Sequence, residues 1–169
     1  MDTGEEEHKL LEDEAMRPQV FSTVDFHMPS GLIGTGLKGV AKLQYTNVKK
    51  KIDKYNAETV ATANIIYILD DIERIKSAGN DRAIPVLSEM VSYLRTLLLS
   101  SDTELVLHTV ILLDGIIKNS GYLLHAIIGR RKFMKTLSLV ARRHLSESSY
   151  DHHRVGIITA DCLQAWGEA

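Results

Sequence analysis

Leu112-Leu113-Asp114-Gly115-Ile116-Ile117-Lys118-Asn119-Ser120-Gly121 reads as the end of a buried helix, and that reading decides the fold. From Leu105 to Ile117 the apolar residues Leu105, Val106, Leu107, Val110, Ile111, Leu112, Leu113, Ile116 and Ile117 surround most of the helix instead of forming one stripe. A helix apolar nearly all round is packed on several sides, so this segment belongs at the centre of its domain. Lys118 falls in the last turn, where a cation meets the negative end of the helix dipole. Asn119 and Gly121 both tolerate the left-handed conformation that ends helices. Asp114 and Lys118 stand four apart and can pair on one face. Upstream, Ser101 is predicted as the N-cap, with Glu104 closing a capping box.

Outward from that helix the pattern stays helical. Val48, Ile52 and Tyr55 predict a first helix over about Thr46–Asn56. A second runs from near Val60 to near Gly79 and carries Ala63, Asn64, Ile65, Ile68, Leu69 and Ile72. A third begins at Asp81 or Ile84, with Pro85 tolerated because it lies in the first turn or so. After the central fourth helix, a short fifth spans about Tyr122–Ile128 and a sixth about Arg131–His144. A seventh opens near Asp151 and carries Val155, Ile157, Ile158, Cys162, Leu163 and Trp166. No alternating strand pattern appears, so the fold class is all-α, a bundle or a short solenoid.

Length and composition bound the rest. One hundred and sixty-nine residues fit one domain plus a tail, and 44% hydrophobic residues can bury a sizeable core. Lone Cys162 allows no internal disulfide, which suits a reducing compartment. No apolar run approaches a membrane span, and the acidic N-terminus is not a secretory signal. The chain therefore reads as soluble and cytoplasmic. Residues 1–30 carry a net charge of −6 in a chain whose total is −2, which leaves +4 for residues 31–169. The predicted organisation is an acidic, disordered leader over 1–30, a glycine-rich hinge over 31–45 and a helical domain over 46–169.

The constellations that carry chemistry elsewhere are weak here. Gly34-Thr35-Gly36-Leu37-Lys38-Gly39 fits GxGxxG, but neither a preceding strand nor a following βαβ unit accompanies it. His152 and His153 are adjacent and point about 100° apart on a helix, so they read as a solvated helix start and not as a chelating pair. His108 and His125 read as structural, and Cys162 as a buried thiol beside Trp166. No catalytic constellation, metal site or cofactor site emerges, and the chain reads as non-enzymatic. Basic residues gather at Lys49, Lys50, Lys51 and Lys54, and again at Arg130, Arg131, Lys132 and Lys135. Cations at a helix start oppose the macrodipole, a local cost that hints at use.

Leu112-Leu113-Asp114, Lys118-Asn119-x-Gly121, His125 and Phe133-Met134-x-x-Leu137 together resemble the VHS domain of endosomal sorting proteins. Asp70-x-Ile72 and Leu163-Gln164-Ala165-Trp166 are similar to the end of that family's second helix and to its tryptophan-containing seventh. The resemblance covers about Asn47 to Ala169. It implies a right-handed superhelix of the ENTH/VHS type, with seven to eight helices. It also implies a non-enzymatic adaptor of endosomal or Golgi vesicular transport, peripheral on those membranes. Its partners would be ubiquitin or ubiquitinated cargo, phosphoinositide-containing membranes and acidic peptide sorting signals, with no nucleic acid and no cofactor.

The family's ubiquitin patch, carried over by position, falls on Thr62 and Ile66, with Asn64 beside them. Thr62 stands where the family has a tryptophan, and Ile66 keeps the aliphatic position. The lipid residues would be Lys49, Lys50, Lys51, Arg130, Arg131, Lys132 and Lys135. The family's peptide groove needs an eighth helix, and the chain as given reaches the seventh. The first helix also lacks the family's usual alanine-threonine ending. The domain that binds the phosphorylated tail of RNA polymerase II has a similar superhelix and a similar leucine-aspartate, lysine-asparagine run, and a structural scaffold is a third reading. If the acidic leader screens the basic face, deleting residues 1–30 strengthens liposome binding.

Overall fold

The computed structural model describes residues 36–58 and 62–168. These form seven helices and, among the described residues, no strand. They are α1 (Gly39–Ala57), α2 (Thr62–Ser77), α3 (Asn80–Leu98), α4 (Thr103–Asn119), α5 (Gly121–Ile128), α6 (Arg131–Ser146) and α7 (Tyr150–Glu168). The predicted leader, residues 31–35 of the hinge and Val60 lie outside the described residues.

Two glycines mark breaks between helices. Gly79 adopts φ 94°, which an L side chain resists, and its carbonyl accepts from the N–H groups of Arg82 and Ala83 to start α3. Gly121 adopts φ 75° between α4 and α5. The Ser120 carbonyl at that break accepts from Lys76 Nζ of α2 at 2.8 Å. The Ile117 carbonyl is met by His125 Nε2.

Three local expectations change. First, α1 begins at Gly39 and not near Thr46, so residues 39–45 of the predicted hinge are helix. The reason is burial: Tyr45 continues the inward stripe of Val48, Ile52 and Tyr55. Second, the cap of α4 is Asp102 and not Ser101. Its carboxylate accepts from the N–H groups of Glu104 and Leu105 at 3.1 and 3.3 Å, and an ionised acceptor suits the positive end of the dipole. Third, Asn119 stays inside α4, where its side-chain amide donates to the Gly115 carbonyl. Pro85 sits in the second turn of α3.

The core is one cluster drawn from all seven helices. α4 is central, as its apolar circumference predicts: it packs on α1, α2, α3, α5 and α7. Val106, Val110, Leu112, Leu113 and Ile116 are completely buried there. α6 and α7 pack against each other. Gly156 makes that approach possible, because a Cβ placed on it would lie 2.6 Å from the Leu145 backbone nitrogen. The Trp166 indole N–H donates to Asp114 Oδ1 at 3.0 Å, and Lys118 Nζ donates to Asp114 Oδ2 at 2.7 Å. This junction fastens α7 to α4.

Candidate interaction surfaces

α2 turns Ile68, Ile72 and Ile75 inward and packs Ile65 beside Gly115 of α4. Helical spacing then places Ile66, Asp70 and Glu73 on the outer side, flanked by Tyr67 and Arg74, and all five are exposed. Ile66 is 55% and Tyr67 56% exposed, two large side chains side by side in water. Isolated exposed apolar residues are ordinary, whereas an adjacent aliphatic–aromatic pair beside two carboxylates forms a small amphipathic patch.

The predicted ubiquitin residues divide on this geometry. Ile66 is presented. Asn64 is buried and donates to Glu58 Oε2 at 3.1 Å, so it faces the end of α1 and not a partner. Thr62 opens α2, and its side chain lies outside the described residues. Sequence reasoning passed over Tyr67. The signal was present: once Ile65, Ile68 and Ile72 are set inward, positions 66, 67 and 70 point out.

The basic residues also divide. Lys51 donates to the buried carboxylate of Asp71 at 2.6 Å, and Arg74 reaches the same oxygen at 3.3 Å. Lys49 pairs with Asp53 at 3.2 Å and lies 4.6 Å from the ring centroid of Tyr93, a cation–π arrangement. The Tyr93 hydroxyl donates to the same Asp53. Lys49 and Lys51 therefore brace α1 against α3 and α2. Lys50 is exposed.

Arg130, Arg131, Lys132 and Lys135 are all exposed at the start of α6. Arg142 and Arg143 extend that side of the helix, and no acid occurs between residues 131 and 146. α3 packs against both α1 and α6. The two predicted basic clusters thus lie on separate helices with α3 in contact with each.

The histidines are largely absorbed by structure. His108 meets Tyr55 edge to face, and His125 caps α4. His152 is not the solvated residue expected from its position. Its Nδ1 lies 2.9 Å from Nδ1 of His144, the rings stack with centroids 5.0 Å apart, and its Nε2 lies 3.4 Å from Thr103 Oγ1. Burial, reinforced by His152 and Arg143, pushes His144 down to about 4. Burial, with Asp114 beside it, pushes the Cys162 thiol up to about 11, consistent with an unreactive core thiol. Among the described residues, no group of three or more His, Cys, Asp or Glu could hold a metal ion. No helix among them is long and apolar enough to cross a membrane.

The family model of the VHS domain matches residues 43–169. No curated protein and no solved structure gives a significant match. The match extends from the fifth residue of α1 past the end of α7, so it takes in the α2 patch, the α6 basic face and the Asp114–Trp166 junction. The chain belongs to the VHS domain family.

Proposed function

We propose that this VHS domain reads ubiquitin on protein cargo through the outer face of α2, as an adaptor in endosomal or Golgi transport. A VHS domain is a non-catalytic interaction module of trafficking proteins. The observation that carries the finer reading is the adjacent exposure of Ile66 and Tyr67 on a helix whose other large apolar residues turn inward. Thr62 replaces the family tryptophan, so a large apolar anchor is missing from one end of the patch. Tyr67 supplies an aromatic surface on the next turn. Loss of an anchor from a small patch weakens binding, because a few residues carry most of an interface's energy. The proposed contact set is Ile66, Tyr67 and Asp70, with Asn64 acting from behind by tying α2 to the end of α1.

The test is an amide NMR titration of the full chain against its Ile66→Asp variant. The native chain shows saturable ubiquitin-dependent shifts on α2, and the variant loses them while its remaining spectrum stays unchanged. Equal shifts in both chains remove Ile66 from the site.

A second contact is supported by the acid-free cationic side of α6. We infer that Arg130, Arg131, Lys132 and Lys135, with Lys50 on α1, draw the domain to phosphoinositide-containing membranes. Each exposed cation near an anionic bilayer contributes about 1 kcal/mol, and salt screens the contribution. Vesicle recovery that falls with salt, and falls again in Arg131→Gln/Lys132→Gln/Lys135→Gln, is the expected result. Recovery indifferent to both removes the membrane reading.

A further inference from the structure

The outer side of α1 is a continuous stripe. Val40, Leu43, Asn47, Lys50 and Lys54 follow one another at intervals of three and four residues, and all five are exposed. Its first half is aliphatic, with Val40 at 73% and Leu43 at 60% exposure. Its second half is cationic: Lys50 and Lys54 have no carboxylate partner among the described residues, unlike Lys49 and Lys51. Nothing else among the described residues covers this stripe, since α1 packs on α2, α3 and α4 through its opposite side.

We propose that the acidic leader, residues 1–30, folds back along this side of α1 and covers it within the same molecule. Three observations favour this occupant. The charges are complementary: the leader is −6 and the rest of the chain +4. The order matches as well. Followed backward from the start of α1, the leader presents Phe26, Val24, Phe21 and Val20 first, and Glu14, Asp13 and Glu12 later. An antiparallel return therefore sets apolar residues against Val40 and Leu43, and carboxylates against Lys50 and Lys54. The reach also suffices. Val40 to Lys54 is roughly 21 Å of helix at 1.5 Å per residue. The chain from Glu14 to Lys38 has several times that length when extended at ~3.3 Å per residue. Attachment to the same chain makes the leader's effective concentration on the order of millimolar, so even a weak contact is populated.

Docked this way, the leader shields Lys50 and Lys54 from anionic surfaces. That consequence rests on the membrane reading above, whereas the docking itself does not. The experiment compares amide NMR spectra of the full native chain and full-length Glu12→Gln/Asp13→Asn/Glu14→Gln. Residues 43–54 of α1 shift in the variant, and the same amides move in the native chain when salt is raised from 0.1 to 1 M, where the screening length contracts from about 10 to about 3 Å. Changes confined to the leader itself, with α1 unmoved, overturn the proposal. Phosphoinositide vesicle recovery of the same two chains forms the second arm. Shifts on α1 without any gain in recovery leave the docking standing and remove the membrane role of α1. A gain in recovery with α1 unmoved overturns the docking, because the leader then acts through net charge without contact.

Discussion

Trp166 near the end of α7 donates its indole N–H to the same Asp114 carboxylate that Lys118 holds from one turn along α4. One carboxylate thus joins the last helix to the central one across 52 positions of sequence. The bond is partly buried and its acceptor is charged, so its loss costs about 1.5–2 kcal/mol, the lower part of the range for charge-assisted bonds. Trp166→Phe keeps most of the ring and removes the donor. Its urea unfolding midpoint is expected below the native value. An unchanged midpoint means α7 is held by packing without this bond.

Gly156 and Gly115 both lie inside helices, where Gly→Ala ordinarily gains about 1 kcal/mol of propensity. Their surroundings predict opposite outcomes. At Gly156 the new Cβ meets the Leu145 backbone nitrogen at 2.6 Å, so α6 and α7 must part. Overpacking of this kind costs about 1–3 kcal/mol and outweighs the propensity gain. At Gly115 the nearest atom is the side-chain Cγ2 of Ile65 at 3.3 Å, which can turn aside. Thermal unfolding should show Gly156→Ala well below the native chain and Gly115→Ala close to it.

His144 predicts an acid-sensitive α6–α7 junction. It is 3% exposed, its ring faces His152, and Arg143 and Glu147 are the charged neighbours that act on it. Its folded pKa of about 4 lies below the ordinary 6.5, so the unfolded chain binds more protons in that interval. The contribution is complete above pH 6.5 and is lost as pH falls toward 4. Full loss amounts to at most about 3 kcal/mol at 1.36 kcal/mol per pKa unit. His144→Leu should flatten the dependence of stability on pH between 7 and 5. An unaltered slope would assign the acid sensitivity to other groups.

Lys51 illustrates why a basic residue near a proposed lipid site is not automatically a lipid residue. Its partner Asp71 is buried, and the second carboxylate oxygen of Asp71 has no hydrogen-bond donor. Removing Lys51 leaves that carboxylate with Arg74, whose side chain is mostly in water. Lys51→Ala is expected to lower stability by about 1–3 kcal/mol, the cost of an underpaired buried group. Lys50→Ala, one position away and exposed, should leave stability unchanged. Equal denaturation curves for the two variants would show that the Asp71 contact carries no weight.

The fold was legible because the central helix announces itself. Leu105 to Ile117 are apolar around most of the helix, and the structure gives that helix five packing partners. Asp114–Lys118 at spacing four was readable for the same reason, since both residues lie on one helix. The contacts that escaped notice join different helices: Trp166 to Asp114, Lys51 to Asp71 and His144 to His152. Local periodicity gives each partner a face but not a neighbour. The start of α1 escaped because Gly34, Gly36 and Gly39 outweigh the single inward signal of Tyr45. On α2, spacing sets Asn64 on the inward stripe, and the fold does turn its amide inward to Glu58. Ile66 follows from the family resemblance by position.

The central claim is that the outer face of α2 reads ubiquitin. Its most direct test is an amide NMR titration of the labelled full chain with unlabelled ubiquitin. Saturable shifts centred on Ile66, Tyr67 and Asp70, absent in Ile66→Asp, are the predicted result. No shifts on α2 with ubiquitin in the millimolar range, or shifts that survive Ile66→Asp, would contradict the claim.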